Sequence, residues 1–330
     1  MKAWELQDWS IDRLAMVERP QPRPGPGQVL LRMKAASLNY RDLVVLRRGY
    51  GALTGTLPLV PVSDGLGEVT EVGSGVTRVA VGDRVCPAFF QSWIGGEASA
   101  ERLAGVLGGR LDGVMAQYMV LGEQGVCKVP AHLSDEEAAS LPCAALTAWS
   151  ALVVEGRVKP GDRVLVQGTG GVSLFALQFA KLAGASVIVL SSSDAKLERA
   201  RKLGADAGIN YRSNPEWSRE ARNVDHVVEI GGAQSLPQSV RAVRAGGTIS
   251  LIGVVSGPTM EVPLGYVVTR QVRLQGVSVG SRDNFEAMLR AIGEHRLLPV
   301  IDRVFDFGEL RAALDHLASG THFGKICLRI

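Results

Sequence analysis

The chain has 330 residues, 46% of them hydrophobic and 5% aromatic, and its 36 lysines and arginines nearly balance 33 aspartates and glutamates. That length and apolar content predict two buried cores, and hence two domains. Even charge without a basic block argues against nucleic acid, no stretch has membrane-spanning length, and charges stand where a signal peptide needs an apolar run, so a cytoplasmic protein is expected.

Residues 1–125 read as short strands separated by Gly and Pro. A strand is predicted over 28–37, after the proline-rich turn of residues 20–27, with others over 67–72, 84–88 and 115–121 and turns at 73–75 and 81–83. Residues 91–109 form a long connection of little periodicity, which suits either a binding loop or a surface insertion. Two helical patterns flank Pro142 between Ser134 and Val154. The four cysteines, Cys86, Cys127, Cys143 and Cys327, have neither zinc-ligand nor disulfide-framework spacing and read as small buried hydrophobes.

A strand, a glycine turn and a helix come next. Val164, Leu165 and Val166 form an apolar run without alternation, as a parallel strand covered on both faces requires. Gly168, Thr169, Gly170 and Gly171 let the backbone approach a pyrophosphate, whose charge the free N–H groups of a helix over 172–182 would meet. Ser173 stands where a G-x-G-x-x-G pattern has its third glycine, so the motif is weak by itself. A second strand over 186–190, an N-cap at Asp194 after three serines, and a helix over 195–203 complete a β-α-β unit.

The alternation continues with strands over 207–211, 225–230 and 247–253 and a helix over 235–244, which predicts a doubly wound parallel sheet. Beyond residue 268 come a strand over 273–279, helices over 282–294 and 307–317, and a terminal strand over 325–330; the pattern allows this tail in either domain.

Several motifs taken together carry a family likeness: Ser-Leu-Asn-Tyr-Arg-Asp at 37–42, Gly-Asp-Arg-Val at 82–85, Leu-Thr-Ala-Trp at 146–149, Val-Gln-Gly-Thr-Gly-Gly-Val at 166–172, Lys-Leu-Gly-Ala-Asp at 202–206 and His-Phe-Gly-Lys at 322–325. On these the chain resembles the medium-chain dehydrogenase/reductase superfamily, and within it the members without zinc that are similar to quinone oxidoreductases. The resemblance implies an α/β fold in which a Rossmann domain, residues 126–267, is inserted into a β-rich GroES-like partly open barrel made of 1–125 and 268–330. It also implies an active site in the cleft and a homodimer paired near 259–272.

Departures from the family bear on the chemistry. Zinc-dependent members carry a cysteine in the segment where this chain has Leu38, Asn39 and Tyr40, and Gly-His-Glu where it has Val62, Ser63 and Asp64; a cysteine-rich structural zinc lobe is also missing. The oxygen groups left suit zinc poorly, so no metal is expected. Without a Lewis acid to hold an alkoxide, hydride delivery to an electron-poor quinone or α,β-unsaturated carbonyl is the easier reaction.

By the same likeness Asn39 would donate to the developing oxyanion and Tyr50 would supply a proton, while turn residue and mobile-loop residue are their plainer readings. Ser191 occupies the end of the second strand, where an NAD site has a carboxylate, so NADP(H) is expected, with Ser191, Ser192, Lys196 and Tyr211 around the 2′-phosphate. Thr147, Val172, Gly253, Val254, Ser278, Val279, Gly280, Phe323, Gly324 and Lys325 complete the implied cofactor site. Two other readings stand beside an NADPH-dependent reductase of quinones or enones: an NAD(P)-dependent alcohol dehydrogenase and a non-catalytic NADPH-binding protein.

Overall fold

The computed structural model describes residues 1–257, 259 and 261–330, which divide into two units, Met1–Leu146 with Gly280–Ile330, and Thr147–Val279. The first unit opens with an antiparallel hairpin of β1 (Lys2–Leu6) and β2 (Leu14–Glu18). The sequence did not announce it, because adjacent Ala3 and Trp4 are both buried and the period-two signal is lost. Next come β3 (Gln28–Ser37), α1 (Tyr40–Val45), β4 (Asp64–Val72), β5 (Arg84–Pro87), β6 (Tyr118–Gly122), β7 (Val126–Lys128) and α2 (Asp135–Ala139). The long β3 pairs antiparallel with both β4 and β6. Pairing of β7 with β5 holds residues 126–128 in this unit, so its first segment runs to residue 146 and not to the expected 125.

The short helix α3 (Leu146–Trp149) lies between π-helical turns at Leu141–Ala145 and Ser150–Val154. The second unit then alternates β8 (Arg163–Gln167), α4 (Gly171–Leu182), β9 (Ser186–Ser191), α5 (Asp194–Lys202), β10 (Ala207–Asn210), β11 (Val224–Glu229), α6 (Leu236–Ala242), β12 (Val243–Leu251), α7 (Leu264–Thr269) and β13 (Arg273–Gly276). Its strands are parallel in the order β10-β9-β8-β11-β12-β13. Strand order reverses between β8 and β11, so the carboxyl ends of these two strands bound the crevice where such sheets bind ligands.

Three local expectations change here. The helix expected over 235–244 stops at Ala242, because β-branched Val243 pairs with Val224 and starts β12. Ser193, not Asp194, caps α5, accepting from the Lys196 N–H; Asp194 is the first helical residue. Residues 268–279 belong to this unit and not to the tail, since β13 extends the parallel sheet beside β12.

The chain returns to the first unit with α8 (Arg282–His295), β14 (Ile301–Asp306), α9 (Leu310–Ala318) and β15 (Lys325–Arg329). β15 pairs antiparallel with β3 and parallel with β14, giving the path β14-β15-β3-β4-β5-β7. The tail therefore completes the β-rich unit. Its core gathers Leu31, Met33, Val85, Leu310, Leu314, Ile326 and Leu328, and burying each large apolar side chain contributes about 1.5–3 kcal/mol. In the 91–109 segment the carbonyls of Trp93 and Ile94 accept from the Arg282 and Asp283 N–H groups, so the loop caps the start of α8. No described helix is long and apolar enough to cross a membrane.

Candidate functional site

In the second unit, the turn after β8 has the expected shape. Gly168 adopts φ 76° and its N–H donates to Leu190 O at 2.7 Å. That left-handed conformation favours glycine. Ser173 explains its departure from the glycine pattern, because its hydroxyl donates to Gln167 O at 2.6 Å and ties the helix start to the end of β8. Gly170 is the N-cap of α4 and offers no side-chain acceptor, so the amides of Gly171 and Val172 open the helix without a protein cap. Thr169 beside them is buried. An uncapped twelve-residue helix behind a glycine turn fits a pyrophosphate.

Sequence reasoning missed what faces this turn across the strand-order reversal. Glu229, at the end of β11, is fully buried. It accepts from Gln167 Nε2 at 2.7 Å, from the Gly231 and Gly232 N–H groups at 3.0 Å each, from Ser235 Oγ at 2.5 Å, and from Ser239 Oγ. Gln167 Oε1 in turn accepts from the Ile230 and Gly231 N–H groups at 3.2 and 3.1 Å. The network pins the backbone that follows β11 to the residue that precedes Gly168.

Ser191 ends β9 and is buried, its Oγ accepting from the Ser193 N–H at 3.2 Å, while the Tyr211 N–H donates to Ser191 O at 3.1 Å. Ser192 and Lys196 are half-buried and Tyr211 is exposed. Asp194, the carboxylate that follows these serines, accepts from Asn210 Nδ2 at 2.9 Å. Thr147 is buried, Gly253 donates its N–H to Glu229 O, Val254 and Ser278 are exposed, and Val279 is buried at φ 54°. Gly280, Phe323, Gly324 and Lys325 lie in the first unit.

There the pairing of β15 with β3 builds a charged cluster. Asn39 caps α1 with its backbone N–H held by Asp42 Oδ2 at 2.8 Å. Lys325 is 3% exposed, and its Nζ donates to Leu38 O at 2.5 Å and to Asn39 Oδ1 at 2.6 Å. Gly324, at φ 97°, permits this approach, since a side chain there would meet Val300 O at 2.2 Å. Phe323 anchors the same strand entry from the core, its N–H donating to Asp302 Oδ1. Asp64 is fully buried, accepting from Ser63 Oγ at 2.7 Å and from the Cys143 N–H at 2.9 Å.

Asn39 Nδ2 is buried without a hydrogen-bond partner. Asn39 lies near enough to the Asp64 carboxylate to steady its charge, yet no aligned hydrogen bond joins them. Arg41 closes the cluster, stacking over Phe89 at 4.9 Å and donating to Leu107 O and Gly108 O.

The electrostatics bring Tyr50 and Cys143 to the same place. Tyr50 is 45% exposed, and its partial burial pushes the phenol up, Arg41 pulls it down, and Cys143 and Asp42 push it further up. Cys143, which the sequence reads as a small buried hydrophobe, is less fully buried than the other three cysteines, and burial with Asp64 raises its thiol well above the ordinary range. Asn39, Tyr50, Asp42, Asp64, Cys143 and Lys325 are thus one neighbourhood.

The donor set does not suit zinc. Asn39 and Ser63 offer oxygen and nitrogen atoms in place of sulfur or imidazole, the Ser63 hydroxyl is spent on Asp64, and an ammonium sits on Asn39 Oδ1. Among the described residues no three His, Cys, Asp or Glu side chains gather to hold a metal ion.

Burial pushes the Asp42 carboxyl up to about 6 against the pull of Arg41, the Asn39 backbone and Lys325, with Asp64 pushing the same way. The folded state then keeps a proton that the unfolded chain has already released. The contribution of this one carboxyl to stability is fullest below about pH 4 and falls as pH rises through the window from about 4 to 6, by up to about 3 kcal/mol. Asp42→Asn is expected to flatten that part of the profile while still accepting from the Asn39 N–H; urea midpoints of both proteins at pH 4, 5 and 6 measure it. Parallel profiles would contradict the assignment.

Residues 25–131 match the alcohol dehydrogenase GroES-like domain model, and 171–294 match the zinc-binding dehydrogenase model. A zinc-type alcohol dehydrogenase-like protein of Schizosaccharomyces pombe is 43% identical, with 97% of this chain and 96% of that protein covered. The chain is a medium-chain dehydrogenase/reductase. Among solved structures of this superfamily, one from Sinorhizobium meliloti 1021 assigned as an alcohol dehydrogenase shares 43% identity at a TM-score of 0.94, covering 100% of this chain and 98% of that one. The quinone oxidoreductase of Coxiella burnetii superposes at a TM-score of 0.82 with 28% identity, covering 100% and 99%. The medium-chain dehydrogenase/reductase fold, with its Rossmann-type parallel sheet inserted into a GroES-like unit, and an oxidoreductase activity on a pyridine nucleotide follow from these matches.

Proposed function

We propose that this dehydrogenase/reductase works without zinc and delivers hydride from NADPH to a quinone or an α,β-unsaturated carbonyl. The observation that carries the reading is the buried Asn39–Lys325 pair, in which Asn39, from the segment where zinc-dependent members carry a cysteine, accepts from an ammonium instead. The likeness to a quinone oxidoreductase supports the acceptor class. When bound, a reduced nicotinamide supplies the hydride. Asn39 Nδ2 would then donate to the oxygen that becomes an enolate, and Tyr50 would return a proton. The turn at Gly168, Thr169, Gly170, Gly171 and Val172 would hold the pyrophosphate. Ser191, Ser192, Lys196 and Tyr211 would take the 2′-phosphate, and Thr147, Gly253, Val254, Ser278, Val279 and Gly280 would border the nicotinamide.

Two measurements test this. Chelator-treated enzyme is expected to turn over quinones or enones with NADPH, and inactivity across a broad panel of both would overturn the reading. NADPH is expected to bind about ten- to a hundredfold tighter than NADH, the difference one charged phosphate contact makes, with Lys196→Ala removing most of the preference. Equal binding of the two would return the cofactor to NAD(H).

The name of the Schizosaccharomyces pombe relative favours alcohol oxidation as the second reading, and stoichiometric zinc with alcohol turnover would establish it. We further propose a cytoplasmic homodimer through the outer edge of β13, paired near residues 259–272, where Leu264, Tyr266 and Val268 are exposed; Met260 of that stretch lies outside the described residues.

A further inference from the structure

We infer that Lys325 is a positioning residue for hydride transfer, whose ammonium holds and polarises the Asn39 amide. The inference rests on the proposed reductase reading for its kinetic consequence, but its physical core is independent of it. A lysine 3% exposed must have its charge compensated, and two carboxylates, Asp64 and Asp42, lie close enough for their charges to couple to it. Its Nζ is nevertheless aimed at two neutral oxygens, Leu38 O and Asn39 Oδ1. The Asn39 contact fixes which end of the amide points where. With Oδ1 on the ammonium, Nδ2 is the end left to donate, and that atom is buried without a hydrogen-bond partner, in the neighbourhood of the Asp64 carboxylate.

An unpaired buried donor is a costly thing to keep. A cation on the carbonyl end draws electron density from the amide, so the N–H groups at the other end become stronger donors. The arrangement is thus a preorganised donor with a fixed positive charge behind it, which favours a neighbouring oxygen more as that oxygen becomes an anion. Lys325 would never touch substrate; it acts through Asn39. It also explains why the ammonium lies beneath the cap of α1, a location that a cofactor phosphate contact does not require.

Lys325→Gln keeps a neutral donor and a similar length, and Lys325→Met fills the space with an apolar chain. Both are expected to lower kcat by roughly ten- to a hundredfold, short of the loss of the donor itself, with the acceptor KM and the NADPH Kd held within about twofold. In an Asn39→Ala background the same changes should add less than about threefold, because the two residues act as one unit. If Lys325→Gln instead weakens NADPH binding tenfold with kcat unchanged, the lysine serves the cofactor and the inference falls. Full additivity with Asn39→Ala, or unchanged kcat in both variants, overturns it as well.

A readout free of turnover separates this from the reductase reading. The Asn39 side-chain amide protons, followed by NMR with ¹⁵N-labelled asparagine, should move upfield in Lys325→Gln as the polarisation is lost. A wild-type enzyme inactive on every acceptor, with that shift observed, would sink the proposed reaction and leave the Lys325–Asn39 pair standing. An unmoved resonance would sink the pair.

Discussion

Asn39→Ala is expected to lower kcat for quinone or enone reduction by about 10²–10³, the usual cost of removing one oxyanion donor. The expectation follows from the state of the side chain, not from its type. Oδ1 is committed to Lys325 at 2.6 Å, and Nδ2 is enclosed and unpaired, so the amide has one free function and it is donation. Alanine also removes an acceptor from a buried ammonium, which costs on the order of 1–3 kcal/mol of stability, so a fall in activity could come from a loosened fold. Asn39→Asp separates the two effects. Its carboxylate can still accept from Lys325 and still cap α1, but it cannot donate at neutral pH. Beside Asp42 and Asp64 the new carboxylate should lower the thermal midpoint, but at a temperature where the variant is fully folded it should lose kcat as severely as alanine, with NADPH affinity unchanged. An aspartate variant that retains rapid turnover would remove Asn39 from the chemistry and leave it as a helix cap.

What could be read in the sequence was what is local in it. The strand over 28–37 was legible residue for residue, because turn residues and an apolar run bound it on both sides. The Gly168 turn was legible because strand, turn and helix follow one another, and Ser173 could be seen as a departure though not as the bond to Gln167 O that compensates for it. Strand β14 went unseen because Asp302 and Arg303 break the apolar signal of a strand whose pairing with β15 decides it.

The site was legible only as far as the family likeness reached. Asn39 and Tyr50 could be named, but Lys325 was grouped with cofactor contacts, and its ammonium sits 286 residues away in sequence on Asn39 Oδ1. Antiparallel register brings it there, with Cys327 opposite Ser37 and Lys325 just beyond the end of β3. No periodicity carries that information. Cys143 shows the same limit: its composition signal is that of a small apolar residue, and only the fold shows that the π-helical turn after α2 sets its backbone N–H on Asp64.

The same limit applies to Glu229, whose replacement by alanine is expected to be the most destabilising of the changes considered, by about 3–5 kcal/mol. Five donors converge on this fully buried carboxylate, and because Gln167 Nε2 also donates to Ser239 Oγ at 2.9 Å and the Gly231 N–H to Gln167 Oε1 at 3.1 Å, it is the centre of one linked network. Alanine would leave these groups facing a cavity at the carboxyl ends of β8 and β11, the place where doubly wound sheets generally bind ligands. The damage should therefore appear twice, as a lowered thermal midpoint and as weakened NADPH binding. Glu229→Gln is the control. Its Oε1 can still accept from the two glycine N–H groups, while its new N–H₂ group would oppose the Gln167 amide unless that amide flips, so it should recover part of the stability and most of the cofactor affinity. If Glu229→Ala melts within a degree or two of the wild type and binds NADPH normally, water has replaced the carboxylate without cost, and the network is not what holds the two strand ends in place.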